Sequence, residues 1–403
     1  MKRITHLAKL LFISSASIGV LISSCSSNVI KQDAPVARYA LPDATLSEYP
    51  IPQDGPIKNI IFLIGDGMGL TQMSAGRITA NGADGTLAIE KMPVTGIVHT
   101  HAKDKLVTDS AASATALASG VKTNNGMIGM LPDGRKPVSL LQISQDLGMK
   151  TGLVSTSSIT HATPACFATH VTSRKFEPII ARQLIASGVN VMLGGGKSFF
   201  IPKSDTLSRR PDERNLLQEA TTNGYQLAMS ADEMRQIENG DVLGLFAASG
   251  LKNDAHEPTV KQMTEKALNL LKDSEKGFFL MVEGSQIDWG GHNNDPEYVI
   301  REMIAFDEAV KYALDFAKND GQTLVVVTAD HETGGMGLHG GNNDGSDLTF
   351  GWTTDYHTAE PVAVFAYGPQ CLKFTGMYDN TRIPKKIADI MQVSSFPRFH
   401  PEK

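Results

Sequence analysis

Three acidic residues stand directly beyond or at the end of short apolar runs: Asp66 after residues 60–65, Glu283 after 278–282 and Asp330 after 324–329. Each has Gly or His as its next neighbour. Glu283-Gly-Ser-Gln-Ile-Asp288-Trp289-Gly-Gly-His292 puts two carboxylates and an imidazole on one short stretch, Asp330-His331 sets another pair side by side, and His357 follows. Carboxylate oxygens with imidazole nitrogens make the mixed ligand set that Zn²⁺ accepts. No Cys stands among them, which excludes a structural zinc finger. Three protein ligands with one open position is the catalytic arrangement. One such Asp is usually a turn former or helix cap, and one His a surface or satisfied core residue. Three carboxylates in equivalent positions point instead to a shared metal or catalytic site. His6, His256 and His400 read as surface or core, whereas His99, His101, His170 and His339 stay open.

A second chemistry-bearing stretch is Val107-Thr-Asp-Ser110, followed by the small residues 111–118 and Gly120. It reads as a helix with Asp109 or Ser110 at the N-cap and Gly at its end. A helix N-terminus gathers unpaired N–H groups and a positive dipole end, so it suits a phosphate or another oxyanion. Ser110 would present its hydroxyl there, unless it only caps the helix.

The elements that must position these residues alternate. Strands are expected at 59–64, 151–155, 189–193, 278–282, 323–328 and 361–366, with His357 just before the last. Helices are expected at 138–147, 176–187, 259–271 and 297–318. Continuous apolar strands separated by helices predict an α/β three-layer sandwich with a central, mainly parallel sheet flanked by helices on both faces. Such sheets bind ligands beyond the carboxyl ends of their strands, where the three acidic residues fall.

The chain has 403 residues, 41% hydrophobic and 20% charged, with 37 Lys and Arg against 43 Asp and Glu and a net charge of −6. That balance, without a long basic run, argues against a nucleic-acid partner. Residues 209–214, of mixed sign, read as a solvated loop. Lys2, Arg3 and Lys9 precede an apolar run at 10–22, too short to span a bilayer but suited to an export signal. Ile22-Ser-Ser-Cys25 resembles the bacterial lipobox, in which the Cys becomes the lipidated first residue. The expected organisation is a lipoprotein signal peptide at 1–24, a tether at 25–56 and one catalytic domain at 57–403. The mature protein would be an exported, periplasmic or cell-surface lipoprotein, held to the membrane at Cys25. Cys166 and Cys371 then remain, paired or free.

The ordered motifs resemble those of bacterial alkaline phosphatases from 59 to about 369. They are Ile64-Gly-Asp66-Gly-Met-Gly69, Val107-Thr-Asp-Ser110, His161-Ala-Thr163-Pro164, Val171-Thr-Ser-Arg174, the 282–292 stretch, Thr328-Ala-Asp330-His331 and His357-Thr358. The resemblance implies hydrolysis of phosphate monoesters through a phosphoserine at Ser110, with Arg174 gripping the phosphoryl group. It implies two Zn²⁺, one held by Asp288, His292 and His357 and one by Asp66, Asp330 and His331, with a Mg²⁺ near Asp66, Thr163 and Glu283. Enteric members carry Asp at the position of His161 and Lys at that of Trp289. His161 and Trp289 are therefore candidates at the third site, and an imidazole there favours softer ions than Mg²⁺. The segment between Gly334 and His357 is too short for the family's crown insertion, so a homodimer would form without that contact. Residues 197–258 hold much of the extra chain and carry no readable chemistry. Phosphodiesterases and sulfatases of the superfamily fit less well, the former commonly using Thr as nucleophile, and a non-catalytic binding lipoprotein would be expected to lack Ser110 or a ligand.

Overall fold

The computed structural model describes residues 48–52 and 54–401, all within one compact unit. The signal peptide, Cys25, His6 and most of the expected tether lie outside the described residues. Within it the strands are β1 (Asn59–Gly65), β2 (Val94–His99), β3 (Lys150–Ser158), β4 (Val191–Gly195), β5 (Gln226–Ala228), β6 (Val242–Leu245), β7 (Phe278–Gly284) and β8 (Thr323–Ala329). Short strands β9 (Glu332–Thr333), β10 (Met336–Gly340), β11 (Thr349–Trp352) and β12 (His357–Thr358) follow, then β13 (Val362–Tyr367) and β14 (Gly376–Asp379).

Ten of these form one sheet in the order β14-β2-β13-β8-β1-β7-β3-β4-β6-β5. Only β13 runs antiparallel to its neighbours β8 and β2. Every residue of β1, β7 and β8 is buried. This is why they read as unbroken apolar runs: helices cover both faces, and neither side needs polar residues. The helices Leu70–Asn81, Val260–Leu271 and Pro296–Asp320 pack together as one group, and Ser110–Ser119, Leu140–Asp146, Ala162–Ala168 and Arg382–Ile390 as another, both reaching the central strands.

The three acid-bearing strands are immediate neighbours. β1 lies between β7 and β8, with Ile64 opposite Glu283 and Gly65 opposite Ala329. That register sets Asp66 and Asp330 at one height on the carboxyl edge, with Glu283 two residues lower on the adjacent β7.

Several expectations are corrected. β13 is not the last strand, because β14 follows it and pairs with β2. β2 itself was not foreseen, although its buried and exposed residues alternate. Residues 197–258, to which no element was assigned, contribute β5 and β6, which extend the sheet. Arg210 is not solvated but 5% exposed, its guanidinium bound by Asp212 and by the carbonyls of Pro178 and Phe199. Tyr49, within the stretch read as tether, is fully buried against Tyr367, so packing begins before residue 57.

Candidate active site

Ser110 opens the helix Ser110–Ser119, and the N-cap is Asp109, whose Oδ1 accepts from Ala112 N at 2.9 Å. Gly120 ends that helix in the left-handed conformation that a side chain would resist. Leaving the cap to Asp109 frees the Ser110 hydroxyl, which is buried 3.4 Å from His331 Nε2. Asp109 Oδ2 meanwhile holds Arg174 Nη1 at 3.2 Å, and Arg174 Nη2 reaches His161 Nε2 at 3.0 Å.

Asp288 and His292 lie on the short helix Gln286–His292 that follows β7, and His357 opens β12. Asp288 Oδ1 is 3.4 Å from both His292 Nε2 and His357 Nε2, which are 3.2 Å from each other. Ligands on 2.0–2.1 Å arms at tetrahedral angles stand about 3.3 Å apart, so this triangle is one face of a zinc-sized tetrahedron. The histidines are presented correctly for it. His357 Nδ1 faces Thr108 O at 2.7 Å and His292 Nδ1 faces Asp355 O at 2.7 Å. A carbonyl only accepts, so each Nδ1 carries a proton and each Nε2 can offer a lone pair.

A second group gathers beside it, with His331 Nε2 3.5 Å from Asp66 Oδ1 and 3.2 Å from Asp330 Oδ2. His331 stacks on His357 at 3.5 Å, so the two groups share a wall, and His331 is also within reach of the Asp288–His357 pair. Asp66, His161 and Glu283 converge as a third group. Glu283 Oε2 accepts from Ser155 Oγ at 2.7 Å, which leaves its other oxygen to face the group. Trp289 meets His161 edge-on at 6.3 Å and packs against Gly250.

Both oxygens of Asp66, Asp330 Oδ2, Glu283 Oε1, Thr163 Oγ1 and His161 Nδ1 are buried without a hydrogen-bond partner. Stranding that many polar atoms in one place is costly unless cations complete them, and the donor set fits divalent ions. The acidities carry the same signature. Burial, then repulsion from Asp330, pushes Asp66 well up. Asp330 is pushed up to about 7 by burial, then Asp288. Burial also raises Glu283. For Asp288 burial acts upwards, but His357 and then the other neighbouring imidazoles hold it below its usual range. Burial opposes a proton on His357, yet Asp288 keeps its affinity for one above the ordinary value. Burial and then Arg174 lower His161 to about 3, so it is neutral and accepts from the guanidinium.

The structure thus brings Ser110, Arg174, Asp66, Thr163, Glu283, Asp288, His292, Asp330, His331, His357, His161 and Trp289 into one region. His101, His170 and His400 bond elsewhere, to Asp379, Gly129 and Gln142 respectively. Cys166 and Cys371 are both free and buried. The sequence reading missed three supports: Asp109 as anchor of Arg174, Ser155 beneath Glu283, and Thr333, which donates to Asp288 Oδ1 at 2.5 Å. Thr333 stands two residues beyond His331, the strand spacing that returns a side chain to the same side.

Fold and site together define a metal-binding α/β enzyme built to neutralise an oxyanion. Residues 57–349 and 341–393 match the family model for alkaline phosphatase. The chain belongs to the alkaline phosphatase family and hydrolyses phosphate monoesters. It is 36% identical over 443 aligned residues to alkaline phosphatase 3 of Bacillus subtilis, covering 89% of this chain and 94% of that protein. The solved alkaline phosphatase of the Antarctic bacterium TAB5 shares 35% identity and a TM-score of 0.77, over 85% of this chain and 100% of that one. A His-to-Asp mutant of the TAB5 enzyme, with Mg bound in its M3 site, matches with a TM-score of 0.75 at 35% identity and the same coverage.

Proposed function

We propose that Ser110 is the nucleophile of this phosphomonoesterase, with one Zn²⁺ held by Asp288, His292 and His357 and a second by Asp66, Asp330 and His331. A third divalent ion would sit among Asp66, Thr163 and Glu283, with His161 at its edge. The observation that carries this reading is a serine hydroxyl at a helix N-terminus facing a cluster of buried, unpartnered carboxylate oxygens. When bound, such ions neutralise the ester dianion and acidify attacking oxygens, and a pair about 4 Å apart can stabilise both the entering and the leaving oxygen.

The protein's own groups do the positioning. A phosphate monoester repels nucleophiles by its charge, so placement and neutralisation dominate its transfer. Arg174, fixed through Nη1 by Asp109, turns Nη2 from His161 to take two phosphoryl oxygens with its planar fork. The N–H groups opening the Ser110 helix face the same charge. Ser110 Oγ attacks phosphorus and the alcohol departs, leaving phosphoserine. Water then attacks from the vacated side, which frees Ser110 and inorganic phosphate.

Hydrolysis of p-nitrophenyl phosphate and of its bis-ester, before and after EDTA with zinc and magnesium returned, tests the assignment alongside Ser110→Ala. Zinc-dependent monoester turnover that collapses in the variant is expected. Preference for the diester, or full activity in Ser110→Ala, would overturn it.

Export as a lipoprotein anchored at Cys25 is proposed from the basic residues, apolar run and lipobox-like Ile22-Ser-Ser-Cys25 alone. Labelled fatty acid should enter the wild type and not Cys25→Ser. Homodimer formation is supported by Ile97 and Met377, paired in register on β2 and β14 and 40% and 59% exposed. Sedimentation of the wild type against Ile97→Asp tests it, and an unchanged monomer in both would exclude it.

A further inference from the structure

The Thr333 hydroxyl stands between residues of both proposed zinc sites, 2.5 Å from Asp288 Oδ1 and 3.3 Å from His331 Nδ1. It is fully buried, and a Cβ on Gly67 would lie only 2.8 Å from it, so that side is closed. A hydroxyl has one proton to give. If Thr333 donates to Asp288, it can only accept from His331, whose proton must then be on Nδ1. His331 Nε2, the atom facing Asp66, Asp330 and Ser110, is then an open lone pair.

The alternative arrangement reverses both sites together. With the His331 proton on Nε2, that nitrogen cannot hold a metal, and Nδ1 becomes an acceptor. The Thr333 proton turns to it, and Asp288 Oδ1 loses the donor that orients it toward His292 and His357. One proton position therefore makes both clusters ready or neither.

We infer that Thr333 is a positioning residue that couples the two ion sites, so that filling either one raises the affinity of the other for zinc. The inference rests on the two-site reading above. An ion on His331 Nε2 selects the Nδ1–H tautomer, which selects the Asp288-oriented state of Thr333. Linkage requires the reverse to hold equally.

The experiment is titration of the metal-free full-length protein with zinc against a chromophoric chelator, resolving two stepwise constants. Thr333→Ser and Thr333→Ala both lose the methyl group and differ only in the hydroxyl. Wild type and Thr333→Ser are expected to bind two ions cooperatively. Thr333→Ala should bind both at least about tenfold more weakly, within the range for lost partners of metal ligands, and independently of each other. Co²⁺ spectra of the three proteins report the same difference without turnover. Equal constants and equal cooperativity in Thr333→Ser and Thr333→Ala would overturn the coupling while leaving the two sites intact. A wild type that takes up no zinc would overturn both.

Discussion

Asp109 Oδ2 lies 3.2 Å from Arg174 Nη1 while Oδ1 of the same carboxylate caps Ala112 N at 2.9 Å. One side chain thus fixes the helix that presents Ser110 and the arginine that must meet the same phosphoryl group. Gly126 strengthens the link, its N–H donating to Asp109 Oδ2 at 3.0 Å and its carbonyl accepting from Arg174 N at 2.7 Å.

Asp109→Ala should therefore act twice. Loss of the cap is expected to cost about 1 kcal/mol of stability, read by urea unfolding. The freed guanidinium should raise KM and the inhibition constant of inorganic phosphate severalfold, with a smaller change in kcat, because the damage falls on holding the group. Asp109→Asn keeps an acceptor for Ala112 N and should retain more stability while losing most of the hold on Arg174. An unchanged phosphate inhibition constant in both variants would show that Arg174 needs no anchor.

With the metal removed, the raised carboxyls of the site should contribute less to stability as pH rises. Burial and Asp288 raise Asp330 from 3.8 to about 7, and burial with Asp330 raises Asp66. A carboxyl whose folded pKa is raised favours the fold fully below about 4, and that advantage disappears as pH climbs through about 7. Asp288 has the opposite sign, being held low, so its contribution is lost only in acid. The gap in melting temperature between zinc-loaded and EDTA-stripped protein should thus widen from pH 5 to pH 8. A gap that stays constant would mean that these carboxyls do not burden the metal-free fold.

Gly67→Ala should injure both proposed zinc sites from behind. Gly67 has φ +74°, and a Cβ there would lie 2.7 Å from Asp288 Cα and 2.8 Å from Thr333 Oγ1. The backbone of Asp288 cannot yield cheaply. We expect a loss of about 2 kcal/mol or more and at least tenfold weaker zinc binding, measured by unfolding and chelator competition. Wild-type affinity in this variant would show the contact to be slack.

How far this site could be read from the chain depends on how local each signal was. Asp66, Glu283 and Asp330 were legible because buried parallel strands leave an unbroken apolar run, and the next polar residue marks the carboxyl edge. Ser110 was legible because a helix start has its own grammar, although only the structure assigns the cap to Asp109. β2 was missed because its residue types do not follow its alternating burial: Gly96 takes a buried position, where Phe374 O and Gly376 O approach too closely for a side chain, and Ile97 an exposed one. Arg210 was misread because, besides the nearby Asp212, it is held by carbonyls from residues 178 and 199, which no local pattern announces. Thr333 and Ser155 act through residues far along the chain, so their types alone say nothing about their roles.

His161→Asp should exchange one property of the third site for another. His161 is neutral and accepts a hydrogen bond from Arg174, so it leaves the guanidinium's charge free for phosphate. An aspartate supplies a hard oxygen beside Asp66 and Glu283, and magnesium binding should rise, measured by metal content after dialysis. The same carboxylate is also a charged rival for Arg174, so without magnesium KM should increase. Added magnesium engages that carboxylate and should bring KM back toward the wild-type value, whereas in the wild type it should have much less effect. A KM in His161→Asp that ignores magnesium would show that residue 161 does not govern Arg174, and the side chain's part in the reaction would then be confined to the metal.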